Sequence, residues 1–359
     1  MNTFQLYGTW YSRLAQTMPD PCASRLRNLT WLIVGLYLAI SVHLSAIVRK
    51  WPMPAKNRSL TKRLERFLDN PAVRVREWYE PVARQVVRPF VGSEVRLVID
   101  GSKVGHGHQL LIVSLAHGRR ALPLAWTWVT GARGHSSAET QLALLKYVHG
   151  LLPSGTRVLL VGDAEFGSIS VMRQLRRWRW FYVLRQKSNH LVRHTGQRQW
   201  QALGQLVQKP NQHVWWPEAF LTGEWKYPTA ILAYWAKGED QPWLLATNLP
   251  DARQTRQAYQ RRMWIEEMFG DMKGHGVDPE STRLQHFLHL SRLMLAVALL
   301  YVWLMQAGQR AIKLGQRHLV DRHDRRDLSI FRIGWYLTEK QLALQQSVSV
   351  AFAPLVSGS

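Results

Sequence analysis

Two short apolar runs, residues 95–99 (VRLVI) and 158–162 (VLLVG), are each followed at once by an aspartate, Asp100 and Asp163. Aliphatic, β-branched runs of this length read as strands buried on both faces. Residues 109–116 and 121–129 read as two more strands, joined by the turn His117-Gly118-Arg119, and residues 136–152 as a helix. A short basic helix over 167–178 and a strand over 181–185 follow. The predicted order is β-β-β-α-β-α-β, an α/β unit with an aspartate closing its first and fourth strands. Such an aspartate is commonly a turn or cap residue. A pair of them also brings two carboxylates to one sheet edge.

A third carboxylate comes from residues 259–273, YQRRMWIEEMFGDMK. With no proline and one glycine, this stretch reads as a single helix. At about 100° per residue, Tyr259, Arg262, Glu266 and Lys273 fall on one face. Trp264, Ile265, Met268 and Met272 fall on the other. Glu267 sits about 100° round from Glu266, off the polar row. An ordinary amphipathic helix with a solvated charged face has the same pattern. On this stretch alone the ordinary helix is the simpler reading, although such a row can also hold a metal ion and a phosphate backbone together.

The spacing Tyr-x2-Arg-x3-Glu-x6-Lys resembles, without a gap, the Tyr-Arg-Glu-Lys signature of the IS-four family of bacterial insertion-sequence transposases. Asp163-Ala-Glu-Phe166 is similar to the element around that family's second aspartate. The resemblance implies an RNase H-like catalytic core and an Asp, Asp, Glu triad of metal ligands, here Asp100, Asp163 and Glu266. It implies DNA-backbone contacts from Tyr259, Arg262 and Lys273. It also implies transposition: binding of the terminal inverted repeats, cleavage, and transfer of 3′-hydroxyl ends to target DNA, in some relatives through hairpin ends. Two Mg²⁺ ions, replaceable by Mn²⁺, suit an all-carboxylate site because Mg²⁺ is hard and prefers oxygen. The expected partners are double-stranded DNA and a second protomer in the synaptic complex, in the bacterial cytoplasm at the nucleoid.

Charge agrees with a polyanionic partner. The chain has 359 residues, with 47 Lys and Arg against 24 Asp and Glu, a net +23. Its single cysteine, Cys22, excludes an internal disulfide and a multi-cysteine zinc site. Residues 1–94 read as a basic helical domain. A helix capped by Ser59 runs up to Pro71, and the resemblance assigns the region to recognition of the transposon end. Residues 29–48 carry no charge and are long enough to span a bilayer, but a buried helix explains them as well. Residues 101–108 (GSKVGHGH) lack the phosphate-loop pattern and read as a flexible loop.

Residues 187–250 form an insertion between core strand and signature helix. They hold Trp200, Trp215, Trp216, Trp225, Trp235 and Trp243, with alternation that suggests β-structure. In the family such an insertion packs over the active site and helps hold a base flipped out of the duplex. Most of these tryptophans read as core. Residues 251–310 complete the core, with 284–305 as a core helix. Residues 311–359 read as a basic tail; the stretch from Arg310 to Arg326 is strongly basic, with Arg317, Arg322, Arg325 and Arg326 available to DNA, a second protomer or solvent. Two rival functions share these features: a silent, domesticated DNA-binding protein and a membrane-anchored basic protein.

Overall fold

The computed structural model describes residues 3–19, 22–90, 92–104, 107–130, 136–222 and 224–355. The chain opens with five helices: α1 (Thr3–Thr17), α2 (Ala23–Ala39), α3 (Leu44–Val48), α4 (Asn57–Asp69) and α5 (Val75–Val87). The apolar stretch 29–48 is broken at Ile40, which is left-handed (φ 49°) and ends α2. It therefore forms two buried helices and no continuous span. Ser59 lies inside α4, which starts from Lys56 without a side-chain cap.

A three-strand meander follows: β1 (Glu94–Val104), β2 (His108–His117) and β3 (Arg120–Thr130). The β2–β3 turn is the predicted one, with positive φ at both Gly118 (61°) and Arg119 (59°), as a two-residue hairpin requires. Strand β1 runs on past Asp100, so that aspartate is mid-strand. Most of the glycine-rich stretch 101–108 is ladder, with Gly101 paired to Leu111 and Val104 to His108. Gly101 is there for space: a Cβ at this position would overlap the Gln109 side chain, which reaches across it. Of the two loop histidines, His106 lies outside the described residues, and His108 Nε2 bonds the Gln285 carbonyl at 2.8 Å.

Helix α6 (Ala138–Leu151) leads to β4 (Arg157–Gly162), α7 (Ile169–Arg177) and β5 (Phe181–Arg185). Strands β4 and β5 lie parallel to β1; β2 is antiparallel to β1, and β3, antiparallel to β2, runs in the direction of β1 again. The order β3-β2-β1-β4-β5 with these directions is RNase H-like.

The insertion supplies β6 (Leu191–His194), β7 (Gln201–Ala202), β8 (His213–Leu221), β9 (Tyr227–Tyr234) and β10 (Trp243–Thr247). Strand β10 pairs with β5, so the insertion prolongs the core sheet. Among the described residues this is one ten-stranded sheet, in the order β3-β2-β1-β4-β5-β10-β9-β8-β6-β7.

Next come α8 (Ala252–Gln260), α9 (Met263–Gly274), α10 (Phe287–Lys313) and α11 (Ile330–Ala343). Helix α10 is long and apolar enough to cross a membrane, yet it is mostly buried. It is the hub of one apolar core shared by the N-terminal helices, one sheet face and α11. Its Arg292, 3% exposed, donates to the Leu68 carbonyl in the last turn of α4 and to the Val73 carbonyl in the α4–α5 connection. The N-terminal helices are thereby fixed to the core. The expected basic tail carries α11, started by Ser329, whose hydroxyl accepts from Arg332 N. Helices α10 and α11 meet at Gly308 and Gly334, where a Cβ would overlap the Ile330 and Leu304 carbonyls.

Candidate active site

Strand register brings the two aspartates together. Ile99 pairs with Gly162 across β1 and β4. Asp100 and Asp163 are the next residues on the two chains, so they stand side by side, about 5 Å apart at the backbone. Gly162 permits this packing, since a Cβ there would press on Ile99, Leu184 and Phe166. Asp100 is 1% exposed, and its Oδ1 accepts from Gly101 N at 2.7 Å. Asp163 is half-buried and caps its own turn, with Oδ1 accepting from Glu165 N at 2.9 Å.

The signature stretch is not one helix. It breaks at Arg261-Arg262, so Tyr259 belongs to α8 while Glu266 and Lys273 belong to α9. The predicted four-residue row is therefore not formed, although the apolar side is as expected, with Ile265, Met268 and Met272 buried. The break has a cause in the site. From the turn, Arg262 donates through Nη1 to Asp100 Oδ2 at 3.1 Å and through Nη2 to Glu266 Oε1. One guanidinium thus joins the first and third carboxylates. Burial alone would lower the Arg262 pKa, but the Tyr259 phenol and the Asp100 and Glu266 carboxylates raise it overall. Glu267 turns the other way and pairs with Arg120 at 3.3 Å.

Tyr259 and Lys273 are not presented to solvent as a contact row. Tyr259 is 3% exposed and packs edge-on against Trp243. Burial raises its phenol pKa; Arg262 and Arg185 oppose this and Asp163 adds to it. Lys273 pairs with Glu280 at 2.6 Å and lies over Phe269.

Sequence reasoning missed Glu165, two residues beyond Asp163. Its carboxylate accepts from Ser136 N at 2.8 Å, from Ser136 Oγ, and from Gln109 Nε2 at 3.3 Å. Its backbone carbonyl accepts from Gln141 at 3.1 Å. It thereby ties the turn that carries Asp163 to β2 and α6. The only hint in the sequence was its place inside the Asp-Ala-Glu-Phe element.

Asp100, Asp163 and Glu266 are hard oxygen donors of the kind Mg²⁺ takes. Among the described residues no three acidic, histidine or cysteine side chains already converge as a metal cage. Arg262 holds the space between two of the carboxylates, so the donor set fits a divalent ion once that guanidinium moves. Beside Asp163 lies a cavity of about 580 Å³ lined by Arg185, Lys187, Gln241 and the insertion's Trp235.

The profile of the family described as "Transposase DDE domain" matches residues 100–303. The match begins at Asp100 and takes in Asp163 and Glu266. No curated protein matches the sequence significantly. Among solved structures, the chain is similar to a piggyBac transposase synaptic complex with hairpin DNA determined by cryo-EM. Identity is 10% and the TM-score 0.42, over 96% of this chain and 78% of that one. Marinitoga piezophila Argonaute, in complex with a 5′ OH guide RNA and target DNA, is 9% identical. Its TM-score is 0.24, over 69% of this chain and 37% of that one.

Proposed function

Since the chain belongs to the transposase DDE family, a family of metal-dependent enzymes that cut and join DNA, we propose that Asp100, Asp163 and Glu266 are its catalytic carboxylates and hold two Mg²⁺ ions. The observations that support this reading are the placement of Asp100 and Asp163 next to each other across β1 and β4, and Arg262, which joins Asp100 to Glu266 of α9. Bound Mg²⁺ would activate the attacking water or 3′-hydroxyl and stabilise the leaving oxygen of an in-line displacement.

The chain's own residues do the rest. Asp100 is buried on a central strand, so its position is fixed by the ladder. Asp163 is fixed by its turn and by Glu165. Arg262 leaves the carboxylates and takes the scissile phosphate, to which a planar guanidinium binds through two parallel hydrogen bonds. Lys273 leaves Glu280 for a neighbouring phosphate. Tyr259 stays neutral and buried, and backs Arg262. The protein acts as a dimer on the ends of its own element, at the bacterial nucleoid. If the ends pass through hairpins, the cavity beside Asp163 has room for an extruded base, with Trp235 as its stacking surface.

The test is cleavage of a duplex carrying the element's end with Mg²⁺. Wild type and Glu267→Gln should cut; Glu266→Gln and Asp163→Asn should bind the end and leave it intact. Loss of cutting in Glu267→Gln with retention in Glu266→Gln would overturn the assignment of the third carboxylate.

A further inference from the structure

About a quarter turn round α9 from Glu266, on the flank that carries Glu267, lies an open groove of about 750 Å³. Its walls are the β2–β3 turn with Arg119 and Arg120, the side of α9 with Glu267, Gly270 and Asp271, the α10–α11 connection with Arg326, and the start of α11 with Arg332. The acidic groups in it are already engaged. Asp271 is 3% exposed and holds Arg120 at 2.6 Å and Ser329 at 2.8 Å. Glu267 also meets Arg120, and Asp327 meets Arg325 at 3.0 Å. By contrast, Arg119 and Arg326 are exposed and have no carboxylate partner among the described residues. Arg332 lies over the Tyr336 ring and donates through Nη2 to its hydroxyl at 3.1 Å, while its Nε is buried without a hydrogen-bond partner.

Gly270 is the second observation. It is exposed in the middle of α9, and a Cβ there would touch nothing within 4 Å. Packing within the protein does not call for a glycine here, and a glycine inside a helix is unfavourable on its own account. A bare backbone on the floor of a cationic groove lets another backbone approach closely.

We propose that this groove binds the phosphate backbone of double-stranded DNA, at a contact separate from the carboxylates, through Arg119, Arg326 and Arg332. This rests on the transposase reading. A helix is about 10–12 Å across with its side chains, less than the width of a duplex. DNA engaged at Glu266 therefore extends past the edge of α9 and over the adjoining groove. The contact reads charge and not sequence.

The test is the salt dependence of binding to a random-sequence duplex of about 30 base pairs, for wild type, Arg119→Ala/Arg326→Ala and Arg119→Lys/Arg326→Lys. Each phosphate contact contributes about 0.9 to the slope of log affinity against log salt. The alanine pair should flatten the slope by about 2 and the lysine pair should restore it. Gly270→Glu, which has room to fold and places a carboxylate on the groove floor, should weaken binding about tenfold. A wild-type slope in the alanine pair together with wild-type affinity in Gly270→Glu overturns the proposal. Cleavage of the element's end separates the two readings. If wild type cuts and the groove variants bind as wild type, only the groove fails. If wild type neither cuts nor binds DNA, the transposase reading fails first.

Discussion

Arg262 Nη1 stands 3.1 Å from Asp100 Oδ2, and its other terminal nitrogen contacts Glu266. A cation that occupies two of three proposed metal ligands competes with any metal. Breaking hydrogen bonds between charged groups costs about 1.5–3 kcal/mol. Arg262→Gln should therefore bind Mn²⁺ about tenfold more tightly, measured by electron paramagnetic resonance titration, while cutting more slowly for want of a phosphate contact. Unchanged or weaker Mn²⁺ binding would show that the guanidinium does not compete.

Glu165 holds three donors from β2 and the start of α6. Removing its carboxylate leaves Ser136 N without its partner, at a cost of about 1–3 kcal/mol. Glu165→Ala should lose that much stability in urea. It should also lower kcat more than KM, because Asp163 sits on the same turn. Glu165→Gln should recover most of the stability. If Glu165→Ala denatures as wild type does, the hydrogen bonds are not holding the turn.

His117 sets a pH dependence of stability. Burial lowers its imidazole pKa, with the Leu355 carbonyl in partial opposition. The unfolded chain then takes up this proton more readily than the folded one. The contribution is present above the unfolded value, about 6.5, and is lost as pH falls through the folded value. His190, lowered by burial and by Lys187, acts in the same direction. The melting temperature should drop between about pH 7.5 and about pH 5.5, and His117→Gln should make the drop smaller. An identical drop in the variant would assign it to other groups.

Two helical glycines should respond with opposite signs. Gly270→Ala adds a methyl into open space and should stabilise by about 0.5–1 kcal/mol. Gly308→Ala drives a methyl into the Ile330 carbonyl and should destabilise by about 3 kcal/mol or more. Differential scanning calorimetry of the pair reads both. A mild effect at Gly308 would mean that α10 and α11 can separate without loss.

The strands between Glu94 and Arg185 were legible because their residues are apolar, β-branched and bounded by turn formers. Two carboxylate positions followed directly from them. The break at Arg261-Arg262 was not legible, since Gln260 to Met263 are all good helix formers. What ends the helix is a tertiary pull, the reach of Arg262 to Asp100. The stretch from Gly101 misled for a related reason: its first glycine answers to the Gln109 side chain across the ladder and not to a loop. The role of Glu165 was not legible because its partners come from β2 and the approach to α6, far away in sequence. Helix α11 lay hidden in a basic composition, although Ser329 was a usable start signal.

The union of β5 with β10 has a mechanical consequence. Leu245, Ala246 and Thr247 are laddered to Arg185, Leu184 and Val183, and β5 is laddered in turn to β4, which delivers Asp163. The insertion is therefore a lever arm and not a flap. Any load placed on β8 and β9 is carried through hydrogen-bonded strands to the second aspartate. Compliance for admitting and releasing DNA has to come from the side chains that line the cleft, Arg262 foremost.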